Sequence, residues 1–261
     1  MRIFVETKEC IILAFEMNRV LEKIFQLKEN GQKALSVLID PDSLSKEILV
    51  EQIQLAKRNS VDFLFVGGSM ITDDCLDETL EYIKSNCTIP TILFPGSLYQ
   101  INKKADAILF LSLISGRNPE LLIGKHVLAA PILKKSGIEV LPTGYMLIDG
   151  GQPTTVSYVS NSLPIPNNKP KIAAATALAG EMLGLKLNFL DAGSGAEKRV
   201  PSSMIEATAK LSSNPIIVGG GITHPSEAKV AWDAGATIVV VGNAIESNPN
   251  LIQEISKVKI G

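Results

Sequence analysis

The sequence is poor in the residues that announce several common chemistries. It has two histidines and three cysteines in 261 residues. Cys10, Cys75 and Cys87 are odd in number and show no CxxC spacing, which argues against a disulfide framework and a zinc site and points to a reducing cytoplasm. His126 falls inside a helical pattern and His224 beside a helix start, positions that are more often structural than catalytic. No Ser/His/Asp or Cys/His arrangement stands out. No apolar run approaches the roughly 18 residues of a membrane helix, and Glu6, Lys8, Glu9 and Glu16 interrupt the N-terminal apolar segment. A soluble protein is expected, with membrane contact peripheral at most. Blocks of like charge are missing too: 25 basic and 27 acidic side chains are scattered and nearly cancel, so no basic surface is offered to nucleic acid.

What the sequence does have is 46% hydrophobic residues in one length of chain suited to a single large core. Short β-rich runs alternate with longer segments of helical spacing, which predicts a parallel sheet. The predicted strands are Ala34–Asp40, Asp62–Gly67, Pro90–Phe94, Ala107–Leu113, Ile138–Thr143, Asn188–Asp191, Pro215–Val218 and Thr237–Val241. Eight strands, mostly apolar on both faces, fit a closed (β/α)8 TIM barrel in a single domain. An open doubly wound sheet would share the rhythm, but the dinucleotide fingerprint GxGxxG is absent after the first strand. Predicted helices include Leu44–Arg58, Asp74–Ser85, Pro119–Lys135, Ile172–Leu183, Ser202–Leu211, Pro225–Ala234 and Ala244–Val258. An earlier helix, Glu16–Asn30, carries Val20, Leu21, Ile24 and Phe25 on one face and is expected to plug the barrel bottom. Residues 1–16 read as an N-terminal extension and 17–261 as the barrel. Pro131 interrupts a helical pattern, and Gly150–Pro170 is a long Gly/Pro/Ser/Asn-rich loop of the kind that covers active sites.

Barrel chemistry sits at the carboxyl ends of the strands. The seventh strand closes with Gly219-Gly220-Gly221-Ile222-Thr223 and the eighth with Gly242-Asn243. Glycines there let backbone N–H groups approach an anion, and a helix start after Gly242-Asn243 adds partial positive charge. Either cluster alone could be a tight turn; the two together read as a phosphate cradle. The sixth strand ends in Phe189-Leu190-Asp191-Ala192-Gly193-Ser194-Gly195, a carboxylate beside a hydroxyl-bearing glycine loop. Asp191 is suited to bind substrate hydroxyls or take a proton; the plainer alternative is an ion pair with Lys198 or Arg199. After the first strand, Asp40 is a candidate Mg2+ ligand, because Mg2+ keeps several waters and binds one or two protein oxygens together with substrate phosphates. Asp42 reads instead as a cap of the next helix. Ser69, after Gly67-Gly68, is a second candidate oxygen. Arg117 is divided between a diphosphate clamp and a solvated side chain.

Asp40-Pro41, Gly67-Gly68-Ser69, Leu190 to Gly195, Gly219-Gly220-Gly221-Ile222 and Gly242-Asn243, in that order, resemble the geranylgeranylglyceryl phosphate and heptaprenylglyceryl phosphate synthase family. The resemblance runs from about Leu35 to Ile245 and takes in Arg117-Asn118-Pro119 and Leu141-Pro142-Thr143. It implies a Mg2+-dependent prenyltransferase that joins sn-glycerol 1-phosphate to a polyprenyl diphosphate, geranylgeranyl favoured, and a homo-oligomer. It further implies metal positions at Asp40 and Ser69. The implied glycerol-phosphate positions are Phe189, Leu190, Asp191, Ala192, Gly193, Ser194, Gly195, Gly220, Gly221, Gly242 and Asn243, with Asp191 as catalytic base. Where the family often has Tyr-Leu-Glu this chain has Phe189-Leu190-Asp191, so a hydroxyl is lost and the carboxylate is one methylene shorter. Three other readings share parts of the pattern: an FMN-binding barrel oxidoreductase, a thiamine-phosphate-synthase-like enzyme, and a barrel that only binds phosphorylated metabolites.

Overall fold

Eight parallel strands close a barrel in sequence order. The computed structural model describes residues 19–42, 45–68 and 75–260; the expected extension at 1–16 and Ser69 lie outside them. The strands are β1 (Ala34–Ile39), β2 (Phe63–Val66), β3 (Thr91–Leu93), β4 (Ala107–Leu113), β5 (Glu139–Leu147), β6 (Leu187–Asp191), β7 (Ile216–Gly219) and β8 (Ile238–Val241). The ring closes where β1 pairs with β8, Leu35 opposite Val239. Because side chains alternate along a strand, each strand feeds two cores. Phe63, Phe65, Leu109, Leu187 and Phe189 fill the barrel. Leu35, Val37, Leu64, Val66 and Leu190 face the outer helices.

The helices are α1 (Arg19–Glu29), α2 (Lys46–Arg58), α3 (Leu76–Asn86), α4 (Lys125–Ser136), α5 (Thr155–Ser160), α6 (Pro170–Met182), α7 (Ser202–Leu211), α8 (Pro225–Asp233), α9 (Asn243–Ser247) and α10 (Leu251–Ile260). Helix α1 plugs the barrel bottom as expected, with Val20 and Ile24 packed into the interior cluster. Its first turn is capped from across the barrel: the Glu139 carboxylate accepts from the N–H of Val20 at 2.9 Å and of Leu21 at 2.8 Å. The amino group of Lys23 reaches the Asp62 carbonyl and that of Lys28 the Asn214 carbonyl, so the plug is fastened on three sides.

Several local expectations give way. Ser45, not Asp42, caps α2, accepting from Ile48 N–H, because the helix starts three residues later than a cap at Asp42 requires. Pro131 sits within α4; the irregular stretch is a π turn just before it, Glu120–Gly124. The predicted helix Ala244–Val258 is two helices, α9 and α10, parted at Asn248–Pro249–Asn250. Strand β5 runs four residues past Thr143, pairing with β6 as far as Leu147 opposite Asp191.

Strand β3 is the short member of the ring. It pairs with β4 only at Ile92–Ala107 and Leu93–Ile108, whereas β4 and β5 pair over seven positions. Above Ile108 no strand among the described residues pairs with β4 on that side, and the chain after β3 makes a 3-10 turn at Leu98–Gln100. That gap opens the barrel mouth sideways.

Candidate active site

A cavity of about 610 Å³ occupies the barrel mouth and runs through the side opening. One end is lined by Asp191, Gly193, Ser194, Gly195, Gly220, Gly221, Gly242 and Asn243. The other is apolar, with Leu98, Ile101, Phe110, Ala129 and Leu133 between β4 and α4. The structure therefore brings the sequence-predicted cradle residues together. Phe189 lies on the cavity floor, whereas Leu190 points outward into the helix-facing core, as the alternation along β6 dictates. Ala192 is buried beneath the loop.

The cradle is built from close backbone approach. Gly220 has a φ of +81°, and a Cβ there would lie 2.7 Å from the Gly193 nitrogen and 2.8 Å from an Asp191 oxygen. Only glycine fits, so the loops after β6 and β7 stack backbone to backbone. On the other side Ser194 donates its hydroxyl to the Asn243 side-chain oxygen at 2.8 Å, tying the β6 loop to the start of α9.

Asp191 stands where the cradle meets the apolar half. It is 7% exposed. One carboxylate oxygen accepts from Tyr145 OH and the other from Gly193 N–H, both at 2.7 Å. Burial raises its pKa, and the two donors pull it part of the way back. Burial and the adjacent carboxylate push the Tyr145 hydroxyl well above its ordinary value, so it stays a donor. Lys198 and Arg199 do not pair with Asp191; Arg199 reaches Glu227 instead. Tyr145 lies inside β5, past the predicted strand end at Thr143. Its hydroxyl meets the Asp191 carboxylate, while residue 189 is phenylalanine. Rings of Phe94 and Phe189 stack at 5.1 Å, with Tyr145 edge-on to Phe189 at 5.5 Å, forming an aromatic floor between the two halves.

Asp40, just past the end of β1, lines the cavity on the side next to β8. Its carboxylate lies against the backbone of Gly68, where a Cβ would come within 2.7 Å, and burial raises its pKa. Among the described residues no group of three or more His, Cys, Asp or Glu could enclose a metal. Asp40, with the Asp42 carboxylate near enough to raise its pKa further, could hold Mg2+ only together with oxygens from outside the protein, and not in a closed protein cage. Arg117 folds back onto the Gly116 carbonyl at 2.6 Å and does not line the cavity. His126 is buried, hydrogen-bonded to the Ser112 hydroxyl at 3.2 Å and edge-on to Phe110. The long loop does stand over the site: Thr155, Val156, Val159 and Ser160 of α5 line the cavity. Asn118 holds this cover through the Ser160 carbonyl.

Comparison with known proteins agrees with this geometry. The PcrB family profile matches residues 28–259. Geranylgeranylglyceryl phosphate synthase of Chitinophaga pinensis is 52% identical over 239 residues, 92% of this chain and 95% of that protein. The synthase of Thermococcus kodakarensis is 44% identical over 227 residues, 87% of this chain and 89% of that one. The crystal structure of (S)-3-O-geranylgeranylglyceryl phosphate synthase from Thermoplasma acidophilum, in complex with its substrate sn-glycerol-1-phosphate, superposes with a TM-score of 0.86 at 34% identity. That match covers 92% of this chain and 97% of the other. This chain belongs to the PcrB family and stands within it among the geranylgeranylglyceryl phosphate synthases.

Proposed function

We propose that this prenyltransferase joins sn-glycerol 1-phosphate to a polyprenyl diphosphate, geranylgeranyl diphosphate before longer donors, in a Mg2+-dependent reaction. The products are geranylgeranylglyceryl phosphate and diphosphate. The observation that carries the reading is the position of Asp191, a buried carboxylate between a glycine-built anion cradle and an apolar cavity that leaves the barrel sideways. A flavin barrel needs no such apolar exit, and a passive phosphate binder needs no buried carboxylate beside its cradle.

The cradle loops hold the phosphate and thereby fix the glycerol, which lowers the entropic part of the barrier. The C3 hydroxyl oxygen attacks the first carbon of the prenyl chain as the bond from that carbon to diphosphate oxygen breaks. Its proton passes to Asp191. Burial makes Asp191 a stronger base than an exposed aspartate, and the donors Tyr145 and Gly193 orient both its oxygens. Asp40, with Ser69 beyond the described residues, is assigned to the metal. When bound there, Mg2+ supplies positive charge to the departing diphosphate. The apolar walls take the prenyl tail.

Two further readings accompany this one. The chain is taken to act as a homo-oligomer. Any membrane contact is taken to be peripheral: among the described residues no helix is long and apolar enough to cross a bilayer.

The test is transfer of labelled sn-glycerol 1-phosphate into butanol-extractable product, with and without Mg2+, across donors of increasing length. Mg2+-dependent product, greatest with geranylgeranyl diphosphate, is expected; absence of product with every donor, from folded protein, rejects the reading. Asp40→Asn should cut turnover by about 10²-fold or more while glycerol-phosphate affinity changes little. Equal loss in both would remove Asp40 from the metal role.

A further inference from the structure

The contact between the β6 and β7 loops of the cradle is made on the β7 side by Gly220 and Gly221, which carry no side chains to set the spacing. Something outside it must do so. The loop after β6 reaches from Ala192 to Pro201, and the loop after β7 from Gly220 to His224. They touch at Gly220 and again at Gly221, whose φ is +69° and whose Cβ would lie 3.2 Å from the nitrogen and Cα of Arg199. At that second contact the Arg199 guanidinium meets Glu227 in the first turn of α8, Nη1 to Oε1 at 2.9 Å. The other oxygen of Glu227 belongs to the opposite loop. It accepts from Thr223 N–H at 2.8 Å, His224 N–H at 3.1 Å and the Thr223 hydroxyl at 3.2 Å. One carboxylate thus grips both loops.

We propose that Arg199 and Glu227 are positioning residues for the cradle: their ion pair sets the spacing between Ser194-Gly195 and Gly220-Gly221, and so the affinity for the phosphate of sn-glycerol 1-phosphate. The inference rests on the glycerol-phosphate reading given above. Neither side chain lines the cavity, so both act through the loops they join. The far side of the β6 loop is held as well: Lys198 N–H donates to the Gly150 carbonyl at 2.9 Å, and the Gln152 amide to the Gly195 carbonyl at 2.8 Å. The loop is clamped between the cover and the β7 loop, and the ion pair is the side-chain half of that clamp. Burial by itself would raise the Glu227 pKa, but the Thr223 and His224 N–H groups and Arg199 hold it below the ordinary value. The latch is therefore charged at neutral pH.

A plainer role is available to Glu227, that of capping α8 through the Thr223 and His224 N–H groups. Arg199 separates the two roles, because it comes from another loop and its loss leaves every capping bond in place. Calorimetric titration of the full chain with sn-glycerol 1-phosphate is the decisive measurement, followed by steady-state kinetics. Arg199→Met and Glu227→Gln, the latter keeping a capping oxygen, should each weaken binding by about three- to fivefold, the range expected of a half-exposed ion pair. KM for glycerol phosphate should rise equally, with KM for the prenyl donor and Tm unchanged, and the double variant should match the singles. Lys229→Met, which breaks the exposed Lys229–Asp233 pair on the same helix, should change nothing.

Unchanged affinity in Arg199→Met overturns the proposal. So does equal weakening for both substrates accompanied by a lower Tm, which would mark general loss of stability. Weaker binding in Arg199→Met but not in Glu227→Gln would make Arg199 a direct phosphate ligand and would also overturn it. Wild-type protein that binds no glycerol phosphate overturns the glycerol-phosphate reading and this proposal together.

Discussion

A buried carboxylate is costly to ionise, and Asp191, the proposed base, carries that cost. Its raised pKa means that the folded protein holds the proton more tightly than the unfolded chain does. Folding stability is therefore lost as pH rises through the window between the ordinary aspartate value and the raised one. Asp191→Asn removes the buried charge while keeping the shape. It should gain about 2–4 °C in Tm at pH 7, measured calorimetrically, and the gain should shrink as pH falls and the wild-type carboxyl protonates. Turnover should drop by about 10²- to 10⁴-fold. Tyr145→Phe is subtler. It deletes one of the two donors that hold the Asp191 pKa down, so the acidic limb of the pH–rate profile should move to higher pH. A fall in kcat of about tenfold is expected with it. A limb that stays in place would show that Asp191 is not the group titrating.

At the scale of elements, the plug holds the barrel floor and the strand ends shape its mouth. Glu139 begins β5 and caps α1 across the barrel floor, so Glu139→Ala strands two N–H groups in an apolar setting. A loss of about 1–3 kcal/mol is expected in urea unfolding, with KM values unchanged because the cap lies at the opposite end from the site. The same strand marks the limit of what sequence made legible. Glycines after the sixth, seventh and eighth apolar runs are local signals, and their assembly into a cradle follows once the barrel is accepted. The placement of Asp40 at the barrel mouth was legible for the same reason. The hydrogen bond from Tyr145 to Asp191 depends instead on the register of β5 on β6, with Tyr145 opposite Phe189, and nothing in a single run of residues encodes that. Continued apolar character through Tyr145-Met146-Leu147 was the available hint that β5 ran on. The sideways exit was hidden likewise, since it arises from β3 pairing with β4 at two positions only. Arg199 and Glu227 are 28 residues apart and gained meaning only when their loops met.

For the whole molecule, exposed apolar side chains gather on the outer side of α4 and on α6. Helix α4 turns His126, Ala129 and Leu133 inward, yet Val127 and Leu128 on its outer side are more than 60% exposed and Ile132 is 49% exposed. Helix α6 likewise leaves Ile172, and Met182 with Leu183 just beyond it, in solvent. Helices apolar on both sides are usually buried on both. A second copy of the chain is the cover that the proposed homo-oligomer supplies. Sedimentation should find more than one copy per particle at micromolar concentration, and Val127→Glu with Leu128→Glu should return it to a monomer. The inner side of α4 forms a wall of the apolar cavity, through His126, Ala129 and Leu133. Loosening the outer side should therefore raise KM for the prenyl donor while leaving affinity for glycerol phosphate, assigned above to the opposite end of the cavity, unchanged. A wild-type monomer whose behaviour the two substitutions do not alter would mean that this face meets no second copy, and that α4 holds the cavity wall unaided.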